Sequence, residues 1–237
     1  MDGQRIVVVG GGTGMGRAAA RALAQRGAHV AIGGRREDAL RGTAHGTSIR
    51  YKTIDVAIRS SVDAFFDWAA EQLGGIDVMI NAAGINIKNR SMAEMRPEQW
   101  DQVLAINATG AYNCLRAVLP EMRARKRGLV INISSVAGKR ALALGGIAYS
   151  ASKFAMTSLG LCVSNEVASD GIRVTNVYPG EVNTPLLEQR PAPVSEDHRA
   201  RILQPEDVAA VIVNLIELPE AVHIPEIVVK PLSQQWY

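Results

Sequence analysis

The chain has 237 residues, 47% of them hydrophobic and 21% charged, with 26 basic against 23 acidic side chains for a formal net charge of +3. That length and composition suit one α/β domain, 1–237, and exclude a disordered or fibrous chain. The charge is spread along the chain, which argues against nucleic acid, and no apolar run reaches the roughly 18 residues of a membrane span. Met1 to Arg5 lack the layout of a secretory leader, so a cytoplasmic protein is expected.

Short β-branched runs alternate with longer amphipathic stretches. This predicts a doubly wound α/β fold, a seven-stranded, mostly parallel sheet with helices on both faces. In chain order the pattern gives a strand at Arg5–Val9, a helix at Gly16–Gln25, strands at His29–Gly33 and Ser48–Asp55, and a helix at Arg59–Leu73. A strand at Val78–Asn81 and a long helix at Pro97–Arg127 follow, then a strand at Leu129–Ser134 and a helix at Ala148–Ala168. The chain closes with a strand at Ile172–Tyr178, a helix at Pro205–Glu217 and a strand at Glu226–Val229.

The basic cluster Arg123, Arg125, Lys126 and Arg127 reads as the last turn of the long helix, with Gly128 as its left-handed cap. The two most apolar helices fit a core face or a subunit interface. The irregular stretch from Thr184 to about Gln204 follows a strand end and reads as a substrate cover, with an ordered surface excursion as the alternative. Cys114 and Cys162 read as buried small hydrophobes, and His29, His45, His198 and His223 have no metal-ligand spacing, so no metal is expected.

The first chemical signal is the turn Gly10-Gly11-Gly12-Thr13-Gly14-Met15-Gly16 between the first strand and first helix. Strand, glycine turn and helix in that order supply backbone amides and a positive helix end for a pyrophosphate. No lysine–hydroxyl pair follows, which disfavours a nucleoside triphosphate loop. After the second strand the chain reads Gly34-Arg35-Arg36, and the first acid is Glu37. A site for NAD(H) usually places a carboxylate here. Its absence at Gly34, with Arg35 and Arg36 able to pair with a 2′-phosphate, favours NADP(H), with NAD(H) as the alternative.

The second signal is Ser134-Ser135 at a strand end, with Tyr149 and Lys153 four residues apart on the next helix. A carbonyl that receives hydride develops negative charge on oxygen and needs a donor and a proton. Tyr149 can supply that proton, a serine can hold the oxygen, and a lysine cation beside the phenol would lower its pKa. The plainer alternative is that Tyr149 packs at a helix start and Lys153 is solvated.

Together these features resemble the short-chain dehydrogenase/reductase family over essentially the whole chain. Gly10, Gly14 and Gly16 match its glycine turn, with Val9 where the family has threonine. The resemblance implies a Rossmann fold and residue roles. Asp55 and Val56 would approach the adenine, and Asn81-Ala82-Ala83-Gly84 would line the dinucleotide site. Asn107 would help hold a relay water, and Ser135 would be the active serine with Ser134 its neighbour. Tyr149 would be the acid/base, and Lys153 would bind the nicotinamide ribose and tune Tyr149. In Pro179-Gly180-Glu181-Val182-Asn183-Thr184, Val182 and Thr184 would reach the nicotinamide amide.

The C-terminus departs from the family pattern. A homotetramer or a dimer is expected, and Trp236 or Tyr237 would cover an interface or pocket. Ile85, Asn86, Ile87, Ala141, Leu142 and Leu144 would give a largely apolar substrate wall. Lys139 and Arg140 read as solvated loop charges or as contacts to an acidic substrate. The expected partner is a small carbonyl or alcohol, its identity open. A non-catalytic dinucleotide-binding regulator and an epimerase are the competing readings.

Overall fold

The computed structural model describes residues 1–235. Trp236 and Tyr237, assigned above to an interface or pocket, lie outside the described residues. Seven strands form one sheet in the order β3-β2-β1-β4-β5-β6-β7, and every described pairing is parallel. They are β1 (Arg5–Val9), β2 (His29–Gly34), β3 (Arg50–Thr53), β4 (Val78–Asn81), β5 (Gly128–Ile133), β6 (Ile172–Pro179) and β7 (Glu226–Val229). Parallel strands covered on both faces are apolar throughout, and Ile6, Val7, Val8 and Val9 are all fully buried.

The helices are α1 (Gly14–Ala24), α2 (Glu37–Ala44), α3 (Arg59–Leu73), α4 (Pro97–Leu104), α5 (Gly110–Arg125), α6 (Ile147–Val167), α7 (Glu196–Arg201) and α8 (Pro205–Glu217). Alternate residues of β1 serve two cores. Ile6 and Val8 pack with Leu23 of α1 and Ile212 of α8, whereas Val7 and Val9 pack with Phe65 of α3 and Leu115 of α5. Each face buries on the order of twenty apolar side chains, and this burial holds the helices to the sheet.

The helix expected over 97–127 is two helices joined by a wide turn at Ala105–Thr109. The strand expected over 48–55 pairs only at Arg50–Thr53. The sequence reading missed α2, and the segment 184–204 contains α7 and a 3₁₀ turn at Pro185–Gln189.

The left-handed cap of α5 is Lys126, with φ of 53°, and not Gly128. Gly128 opens β5 because a Cβ there would meet the Met122 sulfur at 2.4 Å. The basic cluster is paired: Arg123 with Glu166, Lys126 with Asp170, Arg125 with Asp77 and Arg127 with Glu220. Cys114 is buried, but Cys162 is exposed on α6, a correction to the sequence reading. Among the described residues no helix is long and apolar enough to cross a membrane, and no three metal-ligating side chains cluster.

Candidate active site

The glycine turn, the Asn81-Ala82-Ala83-Gly84 segment, Ser134-Ser135 and the segment from Pro179 follow the carboxyl ends of β1, β4, β5 and β6, where a parallel sheet presents its ligands. The crevice lies where the strand order reverses, between β1 and β4, and there the glycine turn touches the Asn81-Ala82-Ala83-Gly84 segment. Gly10 has φ of +84°, and a Cβ on it would lie 2.6 Å from the Ala82 carbonyl carbon and the Ala83 nitrogen. A Cβ on Gly16 would meet the Gly10 oxygen at 2.3 Å. Bare backbone is therefore required at both positions.

Helix α1 begins at Gly14 behind Thr13, with no side-chain cap and no acid in its first turn. Its leading amides keep their capacity for an anion. The Asn81 side-chain nitrogen is buried without a partner, while its oxygen accepts from Ala83 N–H at 3.3 Å. A glycine cradle, open helix amides and an unpaired buried donor fit a dinucleotide.

Gly34 ends β2, and Arg35 and Arg36 follow it, both exposed. Neither arginine forms an ion pair among the described residues. The Asp55 carboxylate accepts from Ala57 N–H at 3.0 Å, which fixes the turn after β3. Val56 is buried, and its carbonyl accepts from Asn113 at 2.9 Å.

Asn107 sits in the wide turn between α4 and α5, a distortion that recurs at functional sites. Its side chain binds both backbone groups of Ile85, accepting at 2.8 Å and donating at 2.9 Å, and donates to Ser152 Oγ at 3.0 Å. Ser152 Oγ in turn donates to the Tyr149 carbonyl at 2.7 Å. Asn107 thus couples the segment after β4 to the first turn of α6. A Cβ on Gly84 would lie 3.4 Å from Lys153 Nζ and 3.5 Å from Asn107 Oδ1, which brings these three residues together.

Tyr149 and Lys153 share one face of α6, as a four-residue spacing requires. Lys153 is buried, and its ammonium donates to the Ile133 carbonyl at 2.9 Å and lies 5.7 Å from the Tyr149 ring centroid. Burial lowers its pKa to about 8. Burial raises the Tyr149 pKa, while the Ser135 hydroxyl and the Arg90 guanidinium pull it the other way. Two cations therefore stand near the phenol: Arg90, which favours its charged form, and Lys153, expected from the sequence to tune it, whose ammonium lies beside the ring. Ser135 Oγ accepts from Ala137 N–H at 3.1 Å, and Ser134 Oγ faces the Lys153 carbonyl at 3.3 Å.

Ser135 and Tyr149 open onto a cavity of about 130 Å³ that Met15, Pro179, Gly180, Val182 and Thr184 also line. The glycine turn, the segment after β6 and the serine–tyrosine pair therefore share one space. Of the expected apolar wall, Asn86, Leu142 and Leu144 line it. Ile85 and Ile87 instead pack with Val103 and Ala148, because successive residues of the extended segment point to opposite sides. Ala141 lines an adjoining apolar groove beside α6 that shares Arg90, Leu142 and Leu144 with the cavity. Lys139 pairs with Glu226 at 2.7 Å and stacks 5.0 Å over the Tyr178 ring. Arg140 also does not line the catalytic cavity.

Sequence reasoning missed Arg90, Glu181 and Arg190, which all line the cavity. Glu181 is held by Arg190 at 2.9 Å and His198 at 2.6 Å. Arg90 donates to the carbonyls of Ile87, Leu144 and Gln189, one from each loop of the wall. Charged loop residues carry no periodic signal. Only their positions after β4 and β6 could have drawn attention to them.

Comparison with known proteins agrees with this arrangement. Residues 4–194 match the short chain dehydrogenase model. The chain is 36% identical over 244 residues to glycine betaine reductase ATRR of Emericella nidulans, covering 99% of this chain but only 19% of that enzyme. A metagenomic short-chain oxidoreductase solved with NADP is 32% identical with a TM-score of 0.83, over 98% of this chain and 99% of that one. The 3-ketoacyl-(acyl-carrier-protein) reductase of Brucella melitensis solved with NADH is 26% identical with a TM-score of 0.88, over 97% of each chain. With the glycine turn, the Asn81 segment and the Ser135–Tyr149–Lys153 set converging at the sheet's carboxyl edge, this chain belongs to the short-chain dehydrogenase/reductase family.

Proposed function

We propose that this chain is an NADP(H)-dependent oxidoreductase that interconverts a carbonyl and a secondary alcohol, with Tyr149 as the acid/base. The observation that carries the reading is the cavity shared by Ser135, Tyr149, Met15 and Thr184. When bound, the nicotinamide supplies or accepts the hydride. Gly10, Gly12, Thr13, Gly14, Met15 and Gly16 hold the pyrophosphate with backbone amides. Asp55 and Val56 flank the adenine, and Asn81, Ala82, Ala83 and Gly84 form the floor of the cleft. Pro179, Gly180, Val182 and Thr184 border the nicotinamide end, and Lys153 donates to its ribose.

In reduction, Ser135 donates a hydrogen bond to the substrate oxygen and the Tyr149 hydroxyl gives its proton to that oxygen as negative charge grows there. In oxidation, Tyr149 takes the proton back. The Arg90 cation and the Ser135 hydrogen bond favour the phenolate against burial, which opposes it. Asn107 fixes the floor against α6, and in the single catalytic domain the 184–204 segment covers the substrate, a role supported by Leu186 and Leu187 in the cavity lining.

Arg35 and Arg36, exposed and without ion pairs at the end of β2, support NADP(H) through charge-assisted bonds to a 2′-phosphate. Exposed Tyr112 on α5 and Phe154 on α6 support subunit contact through these helices, in a homotetramer or a dimer.

The test follows cofactor absorbance over a panel of ketones and alcohols with both dinucleotides. Tyr149→Phe is expected to lower kcat about 10²- to 10⁴-fold while dinucleotide binding persists, and wild-type kcat would refute the assignment. A kcat/KM ratio favouring the unphosphorylated cofactor would overturn the NADP(H) preference. A monomer by light scattering would overturn the assembly.

A further inference from the structure

Three charged side chains line the catalytic cavity: Arg90, Glu181 and Arg190. Their pairing is unequal. Glu181 is matched by Arg190 and also contacted by His198. Arg90 is 9% exposed and among the described residues meets no carboxylate, only the carbonyls of Ile87, Leu144 and Gln189. A guanidinium carries five N–H donors, so three carbonyls leave two without a partner among the described residues. Neutral carbonyls also leave the charge itself uncompensated, and a buried cation without a counter-ion is costly. Two cations and one carboxylate give this wall a positive balance within reach of Ser135 and Tyr149.

The rest of the cavity limits what else the occupant can be. Leu142, Leu144 and Leu187 supply an apolar surface. The volume of about 130 Å³, room for roughly ten waters, would be shared with the nicotinamide end that Met15, Val182 and Thr184 border, so the occupant is small.

We propose that the substrate is a small oxo acid, or the hydroxy acid related to it, whose carboxylate sits against Arg90 and Arg190 while its carbonyl oxygen meets Ser135 and Tyr149. The inference rests on the oxidoreductase reading above and names its substrate class. In reduction the carbonyl carbon gains the hydride of the reduced nicotinamide, the oxygen gains the Tyr149 proton, and the carboxylate is unchanged. A planar guanidinium matches a carboxylate with two parallel hydrogen bonds, which fixes the carbonyl as well as binding the charge.

The test is a binding experiment that does not require turnover. Oxo acids of four to six carbons and their uncharged primary amides are titrated by calorimetry into wild-type protein saturated with NADP⁺. At least one acid is expected to bind about tenfold or more tightly than its amide, the value of one buried charge-assisted bond. The preference should weaken with added salt and shrink in Arg190→Gln and Arg90→Gln. Equal or tighter binding of every amide by the wild type, or an undiminished preference in the Arg90→Gln/Arg190→Gln protein, would overturn the proposal. Because Arg90 also joins three loops, Arg190→Gln carries the test if Arg90→Gln fails to fold. Acid-selective binding without cofactor oxidation or reduction would overturn the oxidoreductase reading alone. Turnover of neutral ketones with no acid selectivity would overturn the anion proposal alone.

Discussion

Replacing Lys153 with methionine separates what this residue does in the site from what it costs the fold. The residue is 4% exposed, and its ammonium has the Ile133 carbonyl at 2.9 Å and the Met156 sulfur at 3.9 Å as its polar neighbours. Burial takes its pKa from 10.5 to about 8. Between those values the unfolded chain holds a proton that the folded chain has lost, so stability rises with pH through that window. Below about pH 8 the folded protein carries the full cost of the buried charge. At about 1.4 kcal/mol per pH unit, the interval corresponds to about 3 kcal/mol.

Methionine keeps an unbranched side chain and removes the charge. It also removes the bond to Ile133, worth about 1 kcal/mol. The expected net gain at pH 7 is therefore about 2 kcal/mol. Urea unfolding of the dinucleotide-free proteins, followed by circular dichroism, measures it. Lys153→Met should be the more stable at pH 7, with the advantage shrinking above about pH 8 and gone or reversed above pH 10.5, where wild-type lysine becomes neutral in both states. A variant less stable at pH 7, or a difference that does not vary with pH, would refute the reasoning.

Gly10→Ala combines a positive φ with a Cβ only 2.6 Å from the Ala82–Ala83 backbone. It should cost about 3 kcal/mol or more in chemical unfolding and abolish dinucleotide binding in a fluorescence titration. At Asp77 burial pushes the carboxyl up, but hydrogen bonds from Arg5 and Arg125 outweigh it and hold the pKa well below the usual range. The stability this confers is present above the unfolded value of 3.8 and lost as pH falls. Asp77→Asn should cost about 2 kcal/mol at pH 7 and flatten the acid limb of the stability curve. Arg90→Gln removes a cation that favours the Tyr149 phenolate, so the pH–rate profile for alcohol oxidation should move to higher pH. An unchanged profile would separate Arg90 from the phenol.

The legible parts of the sequence were those in which one local rule and one tertiary requirement agree. Strands β1 and β4 are short, β-branched and buried on both faces, so their bounds follow from composition. Tyr149 and Lys153 could be paired because helical spacing alone puts them on one face. Helix α2 gave no such signal. It buries only Leu40 and Thr43, too few to mark an apolar stripe. The wide turn at Ala105–Thr109 was equally hidden, since the partners of Asn107, Ile85 and Ser152, come from other segments. At the end of α5, Lys126 takes the left-handed turn, while Gly128 lies where a Cβ would meet the Met122 side chain.

The substrate wall shows the same limit in its chemistry. Arg90 and Arg190 are a hundred residues apart in sequence and look like any exposed loop cations. Only when the segments after β4 and β6 fold over the same strand ends does one become a buried cation with no carboxylate among the described residues while the other takes Glu181. Hydride and proton transfer need groups at fixed distances from a cofactor, so they leave motifs at regular positions. Selecting a substrate needs only an unmatched charge somewhere on the cavity wall, and any loop can supply it. The glycine turn and the Ser135–Tyr149 pair were therefore readable as motifs, whereas the charge balance that distinguishes an oxo acid from a neutral ketone emerges only with the folded loops.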